Sequence, residues 1–117
     1  MKILAALSFV LAIAVGAETA LAAEFIYRES VTLRVGQSVI LKGVRGRGCD
    51  GSAPSWGRIS GSMPRSKLGT FSDGGRGTVD SDSCGEVVPA RGVKFTAKKT
   101  GKETLTIYKD RVTITVK

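Results

Sequence analysis

Apolar and polar residues alternate along the part of the chain that follows position 22. Val31, Leu33 and Val35 are separated by polar side chains, and a second apolar group at positions 39–41 comes after Gly36. An alternation with a period of two is typical of a strand that has one face buried. The pattern therefore predicts two strands joined by a tight connection at Gly36.

The same alternation is clearer near the C-terminus. Apolar residues take every second position within segments 93–97, 104–108 and 111–117. Gly101 suits a turn with a positive φ after the first segment, and Lys109-Asp110 is predicted to reverse the chain between the other two. We therefore expect the last two segments to form a hairpin. The residues expected on its outward faces are Thr104, Thr106, Thr113 and Thr115.

The segment between these two parts, residues 45–92, is rich in glycine and contains all three prolines of the chain. Short strands are expected near positions 56–60, 69–71, 77–79 and 86–88, with loops between them. No helical periodicity is visible after position 22. Six to eight short strands separated by turns predict an all-β protein, a small β-sandwich with a long Gly-rich middle region.

The N-terminal segment has the three parts of a secretory signal peptide. Lys2 is basic, residues 3–15 are almost continuously apolar, and Ala20-Leu21-Ala22 supplies the small residues of a cleavage site. The apolar part is too short for a membrane-spanning helix, which needs about 20 residues. We expect residues 1–22 to be removed, with a cut one residue later as the alternative. Residues 23–117 would then form a single domain, periplasmic or secreted, without a membrane span.

The chain has two cysteines and no histidine. In an oxidising compartment an even number of cysteines favours a disulfide, here between Cys49 and Cys84. The alternative is a pair of free thiols, one of them a nucleophile, but such a thiol usually needs a nearby base. The absence of histidine also excludes Ser-His-Asp and Cys-His catalysis and removes the commonest zinc ligand. The sequence therefore predicts a disulfide-linked protein that is not an enzyme and has no catalytic residues.

Three stretches of the chain resemble bacterial immunoglobulin-like domains. Phe95-Thr96-Ala97 is followed by a Gly-led turn and Thr-rich segment at 101–107, and then by a Thr-rich terminal strand. Residues 35–39, and Pro64 together with residues 69–71, are similar to earlier segments of those domains. The resemblance implies an immunoglobulin-like β-sandwich, which by itself implies no activity. Cysteine-peptidase inhibitors of the chagasin type share that fold, but their N-P-T-T-G loop is missing from this sequence.

Two motifs of the middle region imitate ligand-binding loops. Residues 46–51 read G-x-G-x-x-G, but residues 52–55 show no helix start where a dinucleotide-binding loop needs one. Residues 80–86 resemble the beginning of an EF-hand loop, but Arg91 stands where that loop needs a bidentate Glu. No cofactor is therefore expected. A looser calcium site stays open as an alternative to a solvated acidic turn, and its candidate ligands are Asp80, Asp82 and Glu86.

The chain is strongly basic, with a formal net charge of +8. Such a charge attracts anionic partners through a field that salt weakens, although the solubility of a small secreted protein explains it as well. Outside the cytoplasm the partner would be an anionic envelope polymer or an acidic protein. Nucleic acid is not expected, because few aromatic residues lie among the loop arginines. The candidate contact residues are Arg45, Arg47, Trp56, Arg58, Arg65, Lys67 and Arg76.

Trp56 is the only tryptophan of the chain. It is expected either as a core anchor packed on the disulfide or as an exposed contact residue beside Arg58. Together these features predict an exported, non-enzymatic module that acts by surface contact. The alternative is an inhibitor of a secreted hydrolase, such as a protease or a lysozyme, because a rigid disulfide-linked loop loses little entropy on binding.

Overall fold

The computed structural model describes residues 23–117, which form seven strands and one short helix. The strands are β1 (Ala23–Glu24), β2 (Ser30–Leu33), β3 (Ser38–Arg45), β4 (Gly69–Ser81), β5 (Glu86–Ala97), β6 (Gly101–Ile107) and β7 (Asp110–Val116), and the helix is α1 (Trp56–Ser60). Within this range no helix has the length and apolar character needed to cross a membrane. The predicted signal peptide, residues 1–22, lies outside the described residues.

Two sheets pack face to face. The four-stranded sheet has the order β1-β4-β5-β3 and the three-stranded sheet the order β2-β7-β6. Neighbouring strands are antiparallel, except that β1 is parallel to β4 and β2 is parallel to β7. The connection at Gly36, which has a φ of 94°, carries the chain from β2 in one sheet to β3 in the other. The prediction of an all-β sandwich is confirmed.

The main core lies between the two sheets. Leu41 and Phe95 come from the four-stranded sheet, Ile107 and Ile114 come from the three-stranded sheet, and all four are fully buried. Burial of one such side chain stabilises the fold by about 1.5–3 kcal/mol. Along β5, β6 and β7 the buried residues alternate with more exposed ones, as the sequence pattern predicts.

The predicted C-terminal hairpin is formed by β6 and β7, with Ile107 opposite Asp110. Its turn lies one residue earlier than expected, because Tyr108 and Lys109 are the central residues, with φ values of 45° and 76°. Asp110 belongs to β7, where its carboxylate accepts a hydrogen bond from Nζ of Lys42 on β3 at 2.6 Å. Positive φ at both central residues is the signature of a type I′ turn, for which Asn-Gly is the usual sequence.

Two further expectations for this region are met. Gly101 has a φ of 147° at the start of β6. On the outward face of the hairpin the hydroxyls of Thr104 and Thr113 lie 3.0 Å apart. A cross-strand pair of this kind stabilises a sheet by about 0.2–1 kcal/mol.

The middle region departs most from the predictions. The strands expected at 69–71 and 77–79 are parts of one continuous strand, β4, and the strand expected at 86–88 is the beginning of β5. A bulge between Asp73 and Arg76 interrupts the ladder of β4 with β5 without ending it. Five glycines of this region are therefore strand residues of a long hairpin and do not mark loops: Gly69, Gly74, Gly75, Gly77 and Gly92.

Positions 56–60 form helix α1 and not the strand expected there. The helix begins after Ser55, whose hydroxyl accepts a hydrogen bond from the backbone N–H of Arg58 at 3.2 Å. Ile59 is 2% exposed and packs against Val44 and Val93. A helix of five residues with one buried position has no 3.6-residue periodicity for the sequence to show.

Phe25, just after β1, lies across the four-stranded sheet over a row of glycines. The ring of Phe25 lies over Gly43 of β3, Gly77 of β4 and Gly92 of β5, and a Cβ added to any of them would come within 2.6–2.9 Å of a ring carbon. The backbone N–H of Phe25 donates to the carbonyl of Thr78 at 2.7 Å. Glycine is needed at these three positions because the ring approaches the backbone so closely, together with the carbonyl of Ala23 at Gly77 and the side chain of Val79 at Gly43.

Candidate functional site

Two adjoining clefts lie beside the end of β3 and the β6–β7 turn. The first, named here the arginine cleft, has a volume of about 430 Å³. Its polar and aromatic lining consists of Arg45, Arg47, Arg58, Ser62 and Tyr108. No acidic residue among residues 23–117 lines this cleft. It is therefore a concave surface whose charged groups all have the same sign.

Arg45 is the last residue of β3 and is half-buried. Its Nη1 donates to the carbonyl of Gly46 at 3.1 Å and to the carbonyl of Gly48 at 3.3 Å. A Cβ on Gly46 would lie 2.8 Å from the carbonyl oxygen of Ser52, so the Gly-rich loop is tightly folded. Arg47 follows within this loop and is exposed.

Arg58 reaches the cleft from helix α1. Its neighbour Ile59 is buried and holds the helix against the sheet, whereas Arg58 itself is exposed to solvent. The loop before the helix is held by Arg91 of β5, whose Nε donates to the carbonyl of Pro54 at 2.9 Å. Nη1 of Arg91 also lies 3.2 Å from a carboxylate oxygen of Asp73. Neither Arg47 nor Arg58 forms a salt bridge in the described part of the chain.

The predicted disulfide between Cys49 and Cys84 is present, with the Cα atoms 5.7 Å apart. Cys49 follows β3 in the Gly-rich loop, and Cys84 lies in the turn between β4 and β5. The bond spans a sequence separation of 35 residues. It ties the loop that carries Arg47 to the end of the long hairpin and limits how far this loop can move.

The second cleft, named here the tyrosine cleft, has a volume of about 450 Å³. It shares residues 44–46 and Tyr108 with the arginine cleft. The side chains that give it its chemistry are Tyr27, Lys42, Asp80, Tyr108 and Asp110. Apart from the shared Arg45, hydroxyls, carboxylates and one ammonium group therefore take the place of the guanidinium groups of the first cleft.

Hydrogen bonds fix several groups of the tyrosine cleft. Nζ of the buried Lys42 donates to the carboxylate of Asp110 at 2.6 Å and to the carbonyl of Ile107 at 3.4 Å. The hydroxyl of Tyr27 donates to the carbonyl of Arg111. Loss of solvation raises the pKa of the Tyr27 phenol above its usual range, and the carboxylates of Asp110 and Glu29 raise it further. Tyr27 is therefore a neutral hydrogen-bonding group at physiological pH.

The candidate contact residues do not all come together. Arg45, Arg47 and Arg58 meet in the arginine cleft. Arg65 and Lys67 lie in the loop before β4, and Arg76 lies on β4 opposite Arg91. These last three predicted residues line neither of the two clefts.

Trp56 is half-buried at the start of α1. It packs against the apolar cluster of Val44, Ile59 and Val93. It lines neither the arginine cleft nor the tyrosine cleft. Its contacts place its side chain against the apolar cluster on which α1 packs.

Sequence reasoning missed the two tyrosines of the site. Tyr27 precedes the first alternating segment, and Tyr108, which the pattern predicts as the end of a strand, is a turn residue. The sequence does mark Tyr108, because hairpin turns favour Asn and Gly and a bulky aromatic residue beside a predicted turn is unusual.

The three candidate calcium ligands belong to different elements of the β4–β5 hairpin. Asp80 is on β4 and lines the tyrosine cleft, Asp82 is in the turn that follows, and Glu86 begins β5 opposite Ser81. Over residues 23–117 no group of three or more His, Cys, Asp or Glu side chains is placed to hold a metal ion.

Comparisons of the chain with protein-family models, with curated proteins and with solved structures gave no match.

Proposed function

We propose that this protein is an exported, non-enzymatic binding module with an immunoglobulin-like sandwich, and that it holds an anionic partner in the arginine cleft. The partner is an anionic envelope polymer or an acidic protein. The observation that carries the proposal is the convergence of Arg45, Arg47 and Arg58 on one concave surface that no acidic residue of the described chain lines.

Arginine is suited to this task because its planar guanidinium binds carboxylate or phosphate with two parallel hydrogen bonds. Arg47 and Arg58 have no carboxylate partner within residues 23–117, so their donors are available to a ligand. The fold also holds the parts of the cleft in place, through the cap on α1, the contact of Arg91 with Pro54 and the disulfide. A preorganised site loses less entropy on binding than a flexible one.

Export is supported by the disulfide, since such bonds persist in oxidising compartments and are rare in the cytosol. The immunoglobulin-like assignment is supported by the two-sheet arrangement and by the parallel pairing of β2 with the C-terminal strand β7. These features fit a periplasmic or secreted module that acts by contact.

The proposal is tested by isothermal titration calorimetry of the protein, expressed with its full sequence, against sodium polyphosphate and poly-L-glutamate. Polyphosphate represents a phosphate-rich envelope polymer and polyglutamate represents an acidic protein surface. We expect binding of at least one of them, with an affinity that falls as salt rises, because the attraction between charges is screened. The double variant Arg47→Gln, Arg58→Gln should weaken binding at least tenfold, which corresponds to about 1.4 kcal/mol.

The matched control is the double variant Lys98→Gln, Lys99→Gln. It removes the same amount of charge from the exposed β5–β6 turn. Arg45 pairs with Ala90 of β5, and the two lysines follow eight and nine positions later. A strand rises about 3.3 Å per residue, so this turn lies roughly 25 Å from the end of β3 at the cleft. Equal weakening by the two double variants would show that net charge alone drives binding and would overturn the proposal. Absence of binding to both polymers at low salt would also overturn it.

A further inference from the structure

The arginine cleft and the tyrosine cleft are two ends of one concave surface. They share residues 44–46 and Tyr108. Their volumes, about 430 and 450 Å³, each fall within the usual range of small-molecule sites, about 300–1,000 Å³. Tyr108 is 41% exposed and stands where the two ends meet.

The two ends differ in chemistry. Guanidinium groups line the arginine end, whereas the tyrosine end contains the carboxylates of Asp80 and Asp110 and the phenol of Tyr27. Asp110 is paired with Lys42, but Asp80 is exposed and forms no salt bridge with any residue from 23 to 117. A polyanion without hydroxyl groups would meet the carboxylate of Asp80 with no hydrogen bond to offset the repulsion. A ligand without charge would leave the arginines unused.

Tyr108 occupies an unfavourable backbone position. Its φ of 45° lies in the left-handed region, which bulky side chains seldom adopt, and hairpin turns with this geometry favour Asn at such a position. Residues held in sparsely populated backbone regions cluster at functional sites. The chain therefore keeps an exposed aromatic ring at the junction of the two ends, at the expense of turn stability.

We propose that the combined surface binds an acidic oligosaccharide. This inference rests on the proposed function and names the class of its ligand. An anionic substituent of the sugar pairs with Arg47 and Arg58, and the apolar C–H face of a sugar ring packs on Tyr108. Sugar hydroxyls donate hydrogen bonds to the carboxylate of Asp80. The three contacts need a ligand that carries both charge and hydroxyls, which is what an acidic glycan offers and a polyphosphate does not.

The test uses three probes in calorimetry at low salt: trigalacturonate, which is acidic and hydroxylated, maltotriose, which is hydroxylated but neutral, and the sodium polyphosphate used above. We expect trigalacturonate to bind at least tenfold more tightly than maltotriose. Tyr108→Asn should weaken trigalacturonate binding at least tenfold and polyphosphate binding by a clearly smaller factor. Asn tolerates a positive φ, so this variant removes the ring and keeps a favourable turn.

A second variant is expected to change the affinities for the two ligands in opposite directions, which damage to the fold would not do. Asp80→Ala should weaken the binding of trigalacturonate, because an acceptor for hydroxyls is lost. It should strengthen the binding of polyphosphate, because a repelling charge is removed. Damage to the fold would weaken the binding of both ligands together.

The outcomes separate this inference from the proposed function. If polyphosphate binds in the Arg47- and Arg58-dependent manner described above but trigalacturonate does not, the acidic glycan is excluded and the proposed function stands. Equal loss of both ligands in Tyr108→Asn, or maltotriose binding as tight as trigalacturonate, also overturns the inference. If none of the anionic probes binds, the proposed function fails as well.

Discussion

Lys42 and Asp110 form an ion pair that joins the two sheets, with Nζ and Oδ2 2.6 Å apart. The two partners differ in burial, because the side chain of Lys42 is 10% exposed and that of Asp110 is 40% exposed. The pair connects β3 to the first residue of β7, next to the turn that presents Tyr108. It therefore links the packing of the sandwich to the shape of the site.

The difference in burial predicts unequal effects of removing each partner. Asp110→Ala leaves a buried ammonium whose other acceptor, the carbonyl of Ile107, is 3.4 Å away, and should destabilise the protein by about 3 kcal/mol. Lys42→Met replaces the charge with an apolar side chain and leaves only the more exposed carboxylate, so it should cost less than about 1.5 kcal/mol. Urea denaturation measures both free energies of unfolding. A larger loss in Lys42→Met than in Asp110→Ala would contradict this reasoning.

The glycines under Phe25 should not accept a side chain. In Gly77→Ala the new Cβ would clash with the carbonyl oxygen of Ala23 and would lie 2.6 Å from Cε2 of Phe25, and we expect a loss of about 1–3 kcal/mol in the free energy of unfolding. The matched control is Gly61→Ala, where no atom lies within 4 Å of the added Cβ and φ is −66°. That control should change stability by less than about 1 kcal/mol.

A double-mutant cycle shows whether the ring of Phe25 causes the loss of stability in Gly77→Ala, or whether this position of β4 accepts no side chain for another reason. If the clash with the ring is responsible, Gly77→Ala should cost less in a Phe25→Ala background than in the unmodified protein. A double-mutant cycle by thermal or urea denaturation gives this coupling. Additive effects would show that the ring is not what forbids the side chain.

The disulfide should supply a large share of the stability. The chain-entropy estimate for a loop of this length is about 4 kcal/mol at most, against total stabilities of about 5–15 kcal/mol for domains. The variant Cys49→Ala, Cys84→Ala should keep its β-rich circular dichroism but melt at a clearly lower temperature. Amide hydrogen exchange should accelerate most in residues 46–55, which lose their tie to the long hairpin. An unchanged melting temperature after complete reduction of the bond would refute this expectation.

The turn at Tyr108 and Lys109 should be open to stabilisation. Lys109 has a φ of 76°, and Lys109→Gly would create a sequence better suited to this turn while leaving the aromatic ring in place. We expect the free energy of unfolding to rise by about 0.5–1 kcal/mol. The affinity for the anionic probes should change less than twofold. A destabilised Lys109→Gly protein would show that the lysine side chain makes a contribution that outweighs its backbone cost.

The parts of the fold that local patterns determine were predictable. Strands such as β7 alternate strictly because successive side chains point to opposite faces, and that alternation is visible in the sequence without any knowledge of the partner strand. The pairing of Cys49 with Cys84 was predictable because the chain has only two cysteines.

The rest depends on contacts that are distant in sequence. Gly92 was expected in a loop between two short strands, but it is an interior residue of the long strand β5, where the ring of Phe25 lies against it. Helix α1 was missed because one buried residue, Ile59, is too little for a periodic signal. The arginines of the Gly-rich region were identified as candidates, but only the fold shows which of them share a cleft and that Tyr108 stands beside them.

Binding of an anion in the arginine cleft is tested most directly by a titration of the ¹⁵N-labelled protein with sodium polyphosphate, followed in ¹H–¹⁵N correlation spectra. We predict that the largest shifts occur in residues 44–47 and 58–62 and at Tyr108, and that they disappear in the Arg47→Gln, Arg58→Gln variant. Largest shifts in residues 94–102, or shifts of similar size spread over all the basic residues, would contradict the account.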